Sequence, residues 1–205
     1  MIYLDNAATT PMRPEASAAM QPYLGDRFGN PSGVHAVSRR AKDAIEEARE
    51  RIAAALGASH PLEIVFTGGG TDADNLAVVG SALASGGGVV TTAVEHDAVL
   101  ESARFVQRLG HPVTFVGVDG DGRVDPAKVI AAVDDHTAVV SVMSANNETG
   151  VIQPGREVAD ALAAAAPDVL FHTDAVQAFA SLPVTVGATG ADMISVSAHK
   201  IGGPQ

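Results

Sequence analysis

The sequence predicts an α/β fold, a mainly parallel sheet covered by helices on both faces. Two observations carry that prediction. Short apolar, β-prone runs recur along the chain at residues 64–67, 89–94, 113–118, 139–143, 169–173 and 193–197. Stretches that read as helical mostly separate them, and strand–helix alternation is the pattern of parallel sheets.

The first clear element precedes the runs. Over residues 38–56, Ala41, Ala44, Ile45, Ala48, Ile52, Ala55 and Leu56 recur at steps of three and four, and Gly57 follows as a stop. This is an amphipathic helix. Residues 25–33 (GDRFGNPSG) are too rich in Gly, Pro and Asn for regular structure and read as a connector or a loop over a site, with Phe28 exposed. Between the third and fourth runs, residues 119–122 (DGDG) form a turn, and Pro126 stands where a helix begins.

Composition limits the function classes. The chain has 205 residues, enough for one sizeable domain, and 13 basic residues against 24 acidic ones give a net charge of −11. That balance speaks against nucleic acid or an anionic membrane as partner. No basic leader precedes an apolar stretch, and Gly, Pro or charged residues interrupt every candidate span, so a cytoplasmic protein is expected. Cysteine is absent, which excludes disulfides and thiolate metal sites. No metal is expected.

Five segments can carry chemistry, each with a plainer alternative. Residues 68–72 (GGGTD) follow the first run and open a helix; the glycines admit a close ligand and the helix start suits a phosphate. The alternative is a glycine turn capped by Thr71 or Asp72. His96 follows the second run and can stack on a flat ring, shuttle a proton or cap a helix. Asn146 and Asn147 offer amides to a ligand oxygen or form a turn. Asp174 emerges from a buried strand, where a carboxylate either keeps a pyridine nitrogen protonated or caps a helix. Lys200 follows the last apolar run; a lysine at a strand end can form an imine with an aldehyde, or it is an ordinary solvated lysine. All five fall at the expected carboxyl ends of strands, the edge where open α/β sheets bind ligands. Phosphate donors, a ring-stacking imidazole, a ring-nitrogen carboxylate and an imine-forming amine suit one cofactor together.

The ordered segments LDNAATTP (4–11), GNPSGVH (29–35), FTGGGTDADN (66–75), VEHDAV (94–99), NNETG (146–150), HTDAVQ (172–177) and SAHKIGGP (197–204) resemble the cysteine desulfurase family, within the pyridoxal-phosphate-dependent class V aminotransferase group. The resemblance spans essentially the whole chain. It implies the large domain of fold type I, incomplete at its carboxyl end: an amino-terminal segment over 1–12, a cofactor-binding domain over 13–205, and no small domain. It also implies pyridoxal 5′-phosphate as cofactor. Gly70 and Thr71 would contact its phosphate, with Ser197 and His199; His96 would stack on the ring and assist proton transfer. Asn147 and Gln177 would approach the ring hydroxyl, Asp174 would bond the pyridine nitrogen, and Lys200 would hold the cofactor covalently.

In the family, L-cysteine is converted to alanine and its sulfur passes to a cysteine thiolate, for iron-sulfur clusters and other products. That cysteine, and the arginine expected to bind the substrate carboxylate, lie beyond the lysine, as does an antiparallel strand inserted between the first and sixth strands. The resemblance therefore implies a cofactor-binding half, inactive alone and aggregation-prone without a partner segment, of a homodimeric protein that meets a sulfur acceptor or iron-sulfur scaffold protein. Two alternatives stand beside it: a selenocysteine lyase or aminotransferase of the same group, and a non-catalytic partner of a full-length desulfurase.

Overall fold

A computed structural model describes residues 2–204. It divides into two compact units, one taking the chain up to Phe66 together with the segment from Ala198, the other Thr67–Ser197.

The larger unit, Thr67–Ser197, holds the sheet. Five strands, β1 (Gly88–Thr92), β2 (Val113–Val116), β3 (Thr137–Ser141), β4 (Leu170–Asp174) and β5 (Met193–Ser195), lie in the order β2-β1-β3-β4-β5, and every neighbouring pair is parallel. Parallel neighbours need crossovers, and helices supply them. Helix α3 (Gly70–Ser85) leads into β1, α4 (Asp97–Arg108) joins β1 to β2, and α5 (Pro126–Ala131) joins β2 to β3. Two more, α6 (Gly155–Ala165) and α7 (Val186–Thr189), precede β4 and β5.

The strand period of two divides the core into two layers. Val89 and Val139 point to one face, where Val78, Ala82, Val99, Ala103 and Val106 of α3 and α4 cover them. Their neighbours Val90 and Val140 point to the other, against Val129, Val158, Leu162 and Phe171. Helices on both faces are thus what the alternation of β-prone runs with helical stretches predicted. Burying one such valine contributes about 1.5–3 kcal/mol. Pro126 opens α5 as expected, with the Asp125 carboxylate accepting from the Ala127 N–H.

One expected strand is not there. Residues 64–67 lie outside the sheet, and among the described residues no strand pairs with them. Apolar, β-branched composition makes a strand only where a neighbour completes the ladder. Val65 and Phe66 are instead exposed.

In the other unit, helix α1 (Pro14–Met20) is followed by α2 (Ala36–Leu56), the amphipathic helix read from the sequence. The ring of His35 caps α2 by accepting from the Ser38 N–H, and Gly57 ends it at φ 68°. Residues 25–35 contain no helix or strand, and Phe28 is exposed, as the composition indicated. Arg49 on α2 donates to the Ile64 carbonyl and lies 4.9 Å from the centre of the Phe66 ring.

Candidate active site

The order β2-β1-β3-β4-β5 reverses between β1 and β3, because the chain leaves β1 toward β2 and returns to the other side of β1. A crevice opens outside the carboxyl ends of strands at such a point. Two contacts join its banks. The Glu95 carboxylate, in the turn after β1, accepts through Oε1 from the Thr92 hydroxyl (2.7 Å) and from the Met143 N–H beyond β3 (2.9 Å). The Asn146 amide donates to the Val94 carbonyl (2.8 Å).

Asn146 is fully engaged as a scaffold. Its Oδ1 accepts from the Glu148 and Thr149 N–H groups and the Thr149 hydroxyl. Asn147 is half-buried and donates to its neighbour Glu148. Of the two amides, Asn147 is therefore the one less engaged within the loop.

His96 serves as a cap and also faces the crevice. Its Nδ1 accepts from the Ala98 N–H (3.1 Å) at the start of α4, so the ring hydrogen sits on Nε2 when the imidazole is neutral. One ring nitrogen of His96 and one oxygen each of Asp74 and Asp174 lie within 4.8 Å of one another. Asp174 is the last residue of β4; the Val176 N–H donates to its Oδ1 (2.9 Å). Gln177 follows three residues on, half-buried.

The start of α3 comes close to the same place. A Cβ on Gly70 would lie 3.1 Å from Val176 Cγ2 and 3.6 Å from Ser197 Cβ, so the glycine allows the helix end to approach the loop after Asp174 and the segment after β5. No side chain caps this helix; its Ncap is Gly69, and Asp72 accepts from the Gly68 N–H, outside the helix. The first backbone N–H groups of α3 thus point outward together with the positive end of the helix dipole. Thr71 is exposed at this end, and Ser197 is buried beside it. Gly70, Ser197, Asp174 and His96 are therefore brought together within the larger unit.

His199 and Lys200 belong to the other unit, in the single turn Ala198–Lys200. There they are held by the amino-terminal residues. The Thr10 N–H donates to the His199 carbonyl (3.0 Å), the Thr10 hydroxyl accepts from the Gly202 N–H (2.9 Å), and Thr9 Oγ1 lies 3.1 Å from His199 Nδ1. The Lys200 amine donates to the carbonyls of Ala7 and Ala8. Burial and the neighbouring Lys200 charge hold the His199 pKa below its ordinary value. Two distant motifs, LDNAATTP and SAHKIGGP, thus meet as one structure.

Beneath Asp174 lies a polar cluster not singled out from the sequence. His172 is completely buried, with Nδ1 2.8 Å from Ser141 Oγ and Nε2 2.9 Å from Ser195 Oγ. Asp74, also buried, reaches to 3.6 Å from the same Nε2. Burial holds the His172 pKa down to about 4, and the imidazole is neutral. Burial first and the nearby Asp174 second raise Asp74 to about 8, against a smaller lowering by the Ser195 hydroxyl. Burial likewise raises Glu95 to about 8. Asp74 did have a sequence signal: it stands four residues after Gly70, on the face of α3 shared with Ala77 and Val78, where an acid breaks an apolar stripe.

These residues fit pyridoxal phosphate. The uncapped helix end suits a phosphate group, a carboxylate at a strand end suits a pyridine nitrogen, and an exposed imidazole above buried acids suits a flat ring. Asp74 Oδ1, buried and without a hydrogen-bond partner among the described residues, marks a polar floor to the site.

A sequence profile described as "Aminotransferase class-V" matches residues 2–205. "Cysteine desulfurase IscS" of Dictyoglomus turgidum is 47% identical over 207 residues, covering 100% of this chain and 52% of that protein. "Putative cysteine desulfurase IscS 1" of Bacillus subtilis is 44% identical, with 100% and 54% covered. Among solved structures, "SspA in complex with cysteine" superposes with a TM-score of 0.94 at 36% identity, over 100% of this chain and 59% of that one. "NIFS-LIKE PROTEIN" gives 0.92 at 35%, over 100% and 56%. The chain spans about half the length of the curated relatives it matches. The α/β fold expected from the resemblance is the fold observed.

Proposed function

The chain belongs to the aminotransferase class V family, and on that premise we propose that it is the cofactor-binding part of a pyridoxal-phosphate-dependent cysteine desulfurase. The observation that carries the proposal is the placement of Asp174: at the end of β4, held by the Val176 N–H, within 4.8 Å of His96 and beside the uncapped start of α3. The N–H groups at Gly70 and Thr71, with Ser197 and His199, would hold the phosphate. Asn147 and Gln177 would meet the ring hydroxyl, and His96 would stack on the ring. Bound there, pyridoxal phosphate supplies an electron sink for charge left on the substrate's α-carbon.

This chain's residues prepare and use that sink. Asp174 would keep the pyridine nitrogen protonated. Lys200 would hold the cofactor, and its amine would carry the proton from the substrate's α-carbon. His96 has a ring nitrogen toward the acids and a solvent-exposed body, suited to relay a proton at the substrate. L-cysteine is the substrate we favour, since the solved relative SspA is described in complex with cysteine. The C–S bond of cysteine breaks as a thiolate attacks its sulfur, leaving a persulfide and releasing alanine. The chain has no cysteine, so that thiolate lies outside these 205 residues. The proposal includes the family's homodimer, a cytoplasmic location and a sulfur-accepting or iron-sulfur scaffold partner; no helix of the described residues is long and apolar enough to cross a membrane.

Borohydride reduction of the protein mixed with pyridoxal phosphate, followed by peptide mapping, tests the binding claim. We expect the label on Lys200 and its loss in Lys200→Ala. Label on another lysine, or label that survives the substitution, overturns the assignment.

A further inference from the structure

Lys200 stands in a turn too short to fix its own direction. The turn Ala198–Lys200 is closed by the Ile201 and Gly203 N–H groups, which both donate to the Ala198 carbonyl (3.1 and 2.8 Å). One such turn fixes several backbone angles for very few hydrogen bonds and does not persist alone. Its direction is set by the amino-terminal segment of the same unit.

Thr10 supplies three hydrogen bonds and places them on both sides of the lysine. Its N–H and its hydroxyl both donate to the His199 carbonyl (3.0 and 2.7 Å), and the hydroxyl oxygen accepts from the Gly202 N–H (2.9 Å). The hydroxyl thus acts as donor and acceptor at once, which only a hydroxyl of this size can do here. Three residues on, the Arg13 N–H donates to the Gly202 carbonyl (2.8 Å). The approach admits only glycine: Gly202 has φ 82°, and a Cβ there would lie 2.5 Å from Arg13 Cγ.

The far end of the lysine meets the same segment. Its amine donates to the carbonyls of Ala7 and Ala8, and the Ala8 N–H, donating to the Asp5 carbonyl (3.1 Å), folds residues 5–8 into a turn. Thr10 therefore holds the backbone of the lysine's turn while Ala7 and Ala8 hold the amine. Carbonyls only accept, so they keep the amine by its hydrogens and release it without any covalent change.

We propose that Thr10 is the positioning residue for Lys200: by bridging His199 and Gly202 it fixes the backbone from which the side chain reaches, and so sets where the amine is presented. The carbonyls of Ala7 and Ala8 are the amine's resting place before it engages the cofactor. The inference rests on the reading of Lys200 as the cofactor's anchor. Thr10 acts through the turn and not on the cofactor.

Two substitutions separate the hydroxyl from the bulk of the side chain. Thr10→Val keeps the shape and removes both hydroxyl bonds, whereas Thr10→Ser keeps both. Deuterium exchange of backbone amides in the full chain, without cofactor, reads the bridge. The Gly202 amide should exchange about tenfold faster or more in Thr10→Val, and within about threefold of the unsubstituted rate in Thr10→Ser, while the Val139 and Val140 amides of β3 keep their rates. An unchanged Gly202 amide in Thr10→Val, an equal acceleration in Thr10→Ser, or a rise shared by β3 overturns the bridge.

Borohydride quenching at short times after mixing with pyridoxal phosphate reads the positioning. Labelling of Lys200 should slow about tenfold or more in Thr10→Val and return to within about threefold in Thr10→Ser, with the other two lysines, Lys42 and Lys128, reacting as before. Lys200 labelled at the original rate in Thr10→Val, despite a faster Gly202 amide, overturns the positioning role. If Thr10→Val does not fold, the Gly202 amide of the unsubstituted chain and of Thr10→Ser decides: protection in both supports the bridge, and exchange at the rate of an unstructured peptide overturns it. If Lys200 of the unsubstituted chain takes no label, the cofactor reading fails, and the Gly202 amide still decides for or against the bridge.

Discussion

Replacing Glu95 by glutamine should change stability by an amount that moves in the variant's favour as pH rises. Glu95 is 5% exposed, and burial is the first cause of a pKa lifted from 4.5 to about 8. The folded protein therefore keeps a proton that the unfolded chain loses above pH 4.5, so this group's contribution to stability falls as pH rises toward 8. At 1.36 kcal/mol per pH unit, carrying the proton from 4.5 to neutrality costs about 3 kcal/mol. Glutamine keeps an acceptor for Thr92 and Met143 and bears no charge at any pH. Its amide nitrogen, replacing the unpartnered Oε2, adds a buried donor that costs about 1–3 kcal/mol at every pH. The offset is constant and the slope is not. Urea unfolding of both proteins should show Glu95→Gln gaining about 3 kcal/mol on the unsubstituted chain between pH 4.5 and neutrality. Asp74 and His172 titrate in both proteins and largely cancel. A difference that stays flat across that range would refute the reasoning, because Glu95 would then be ionised in the fold.

Two further substitutions probe the core and the phosphate site. Phe171→Ala removes a ring buried among Val90, Val140, Val158 and Leu162, and should cost about 3–5 kcal/mol in urea unfolding; a loss below about 1 kcal/mol would mean that the layer is not close-packed there. Gly70→Ala places a methyl 3.1 Å from Val176 Cγ2. Alanine's higher helix propensity, worth about 1 kcal/mol, should offset the crowding in overall stability. Pyridoxal phosphate should nevertheless bind about tenfold more weakly as the helix end retreats from the loop, and undiminished binding by absorbance titration would argue against that close approach.

The positions of the strands were legible because each of the five observed ones is an apolar run bounded by turn residues, and burial on both faces leaves that mark on composition. Residues 64–67 carry the same mark without being a strand, since a run of β-branched and aromatic residues says nothing about whether a neighbour is present to pair with it. The ligand edge was legible for a related reason: polar residues directly after apolar runs stand out. His96 and Asp174 were found that way, and the structure brings them near the start of α3.

Asp74, Glu95 and His172 were not found, although they form the floor of the site. Each is one polar residue within an apolar helix or beside an apolar strand, and such a residue looks the same in sequence whether it is exposed, capped or buried. Only packing decides, because the cost of burying a charge appears when neighbouring elements exclude water from it. By itself the sequence determined the α/β class, the sheet edge where the candidate site lies and, through its ordered motifs, the family. The tertiary structure decided which acids are buried together at the ends of β1, β3 and β4, because Coulomb interactions depend on distance in space and on solvent, neither of which is written along the chain.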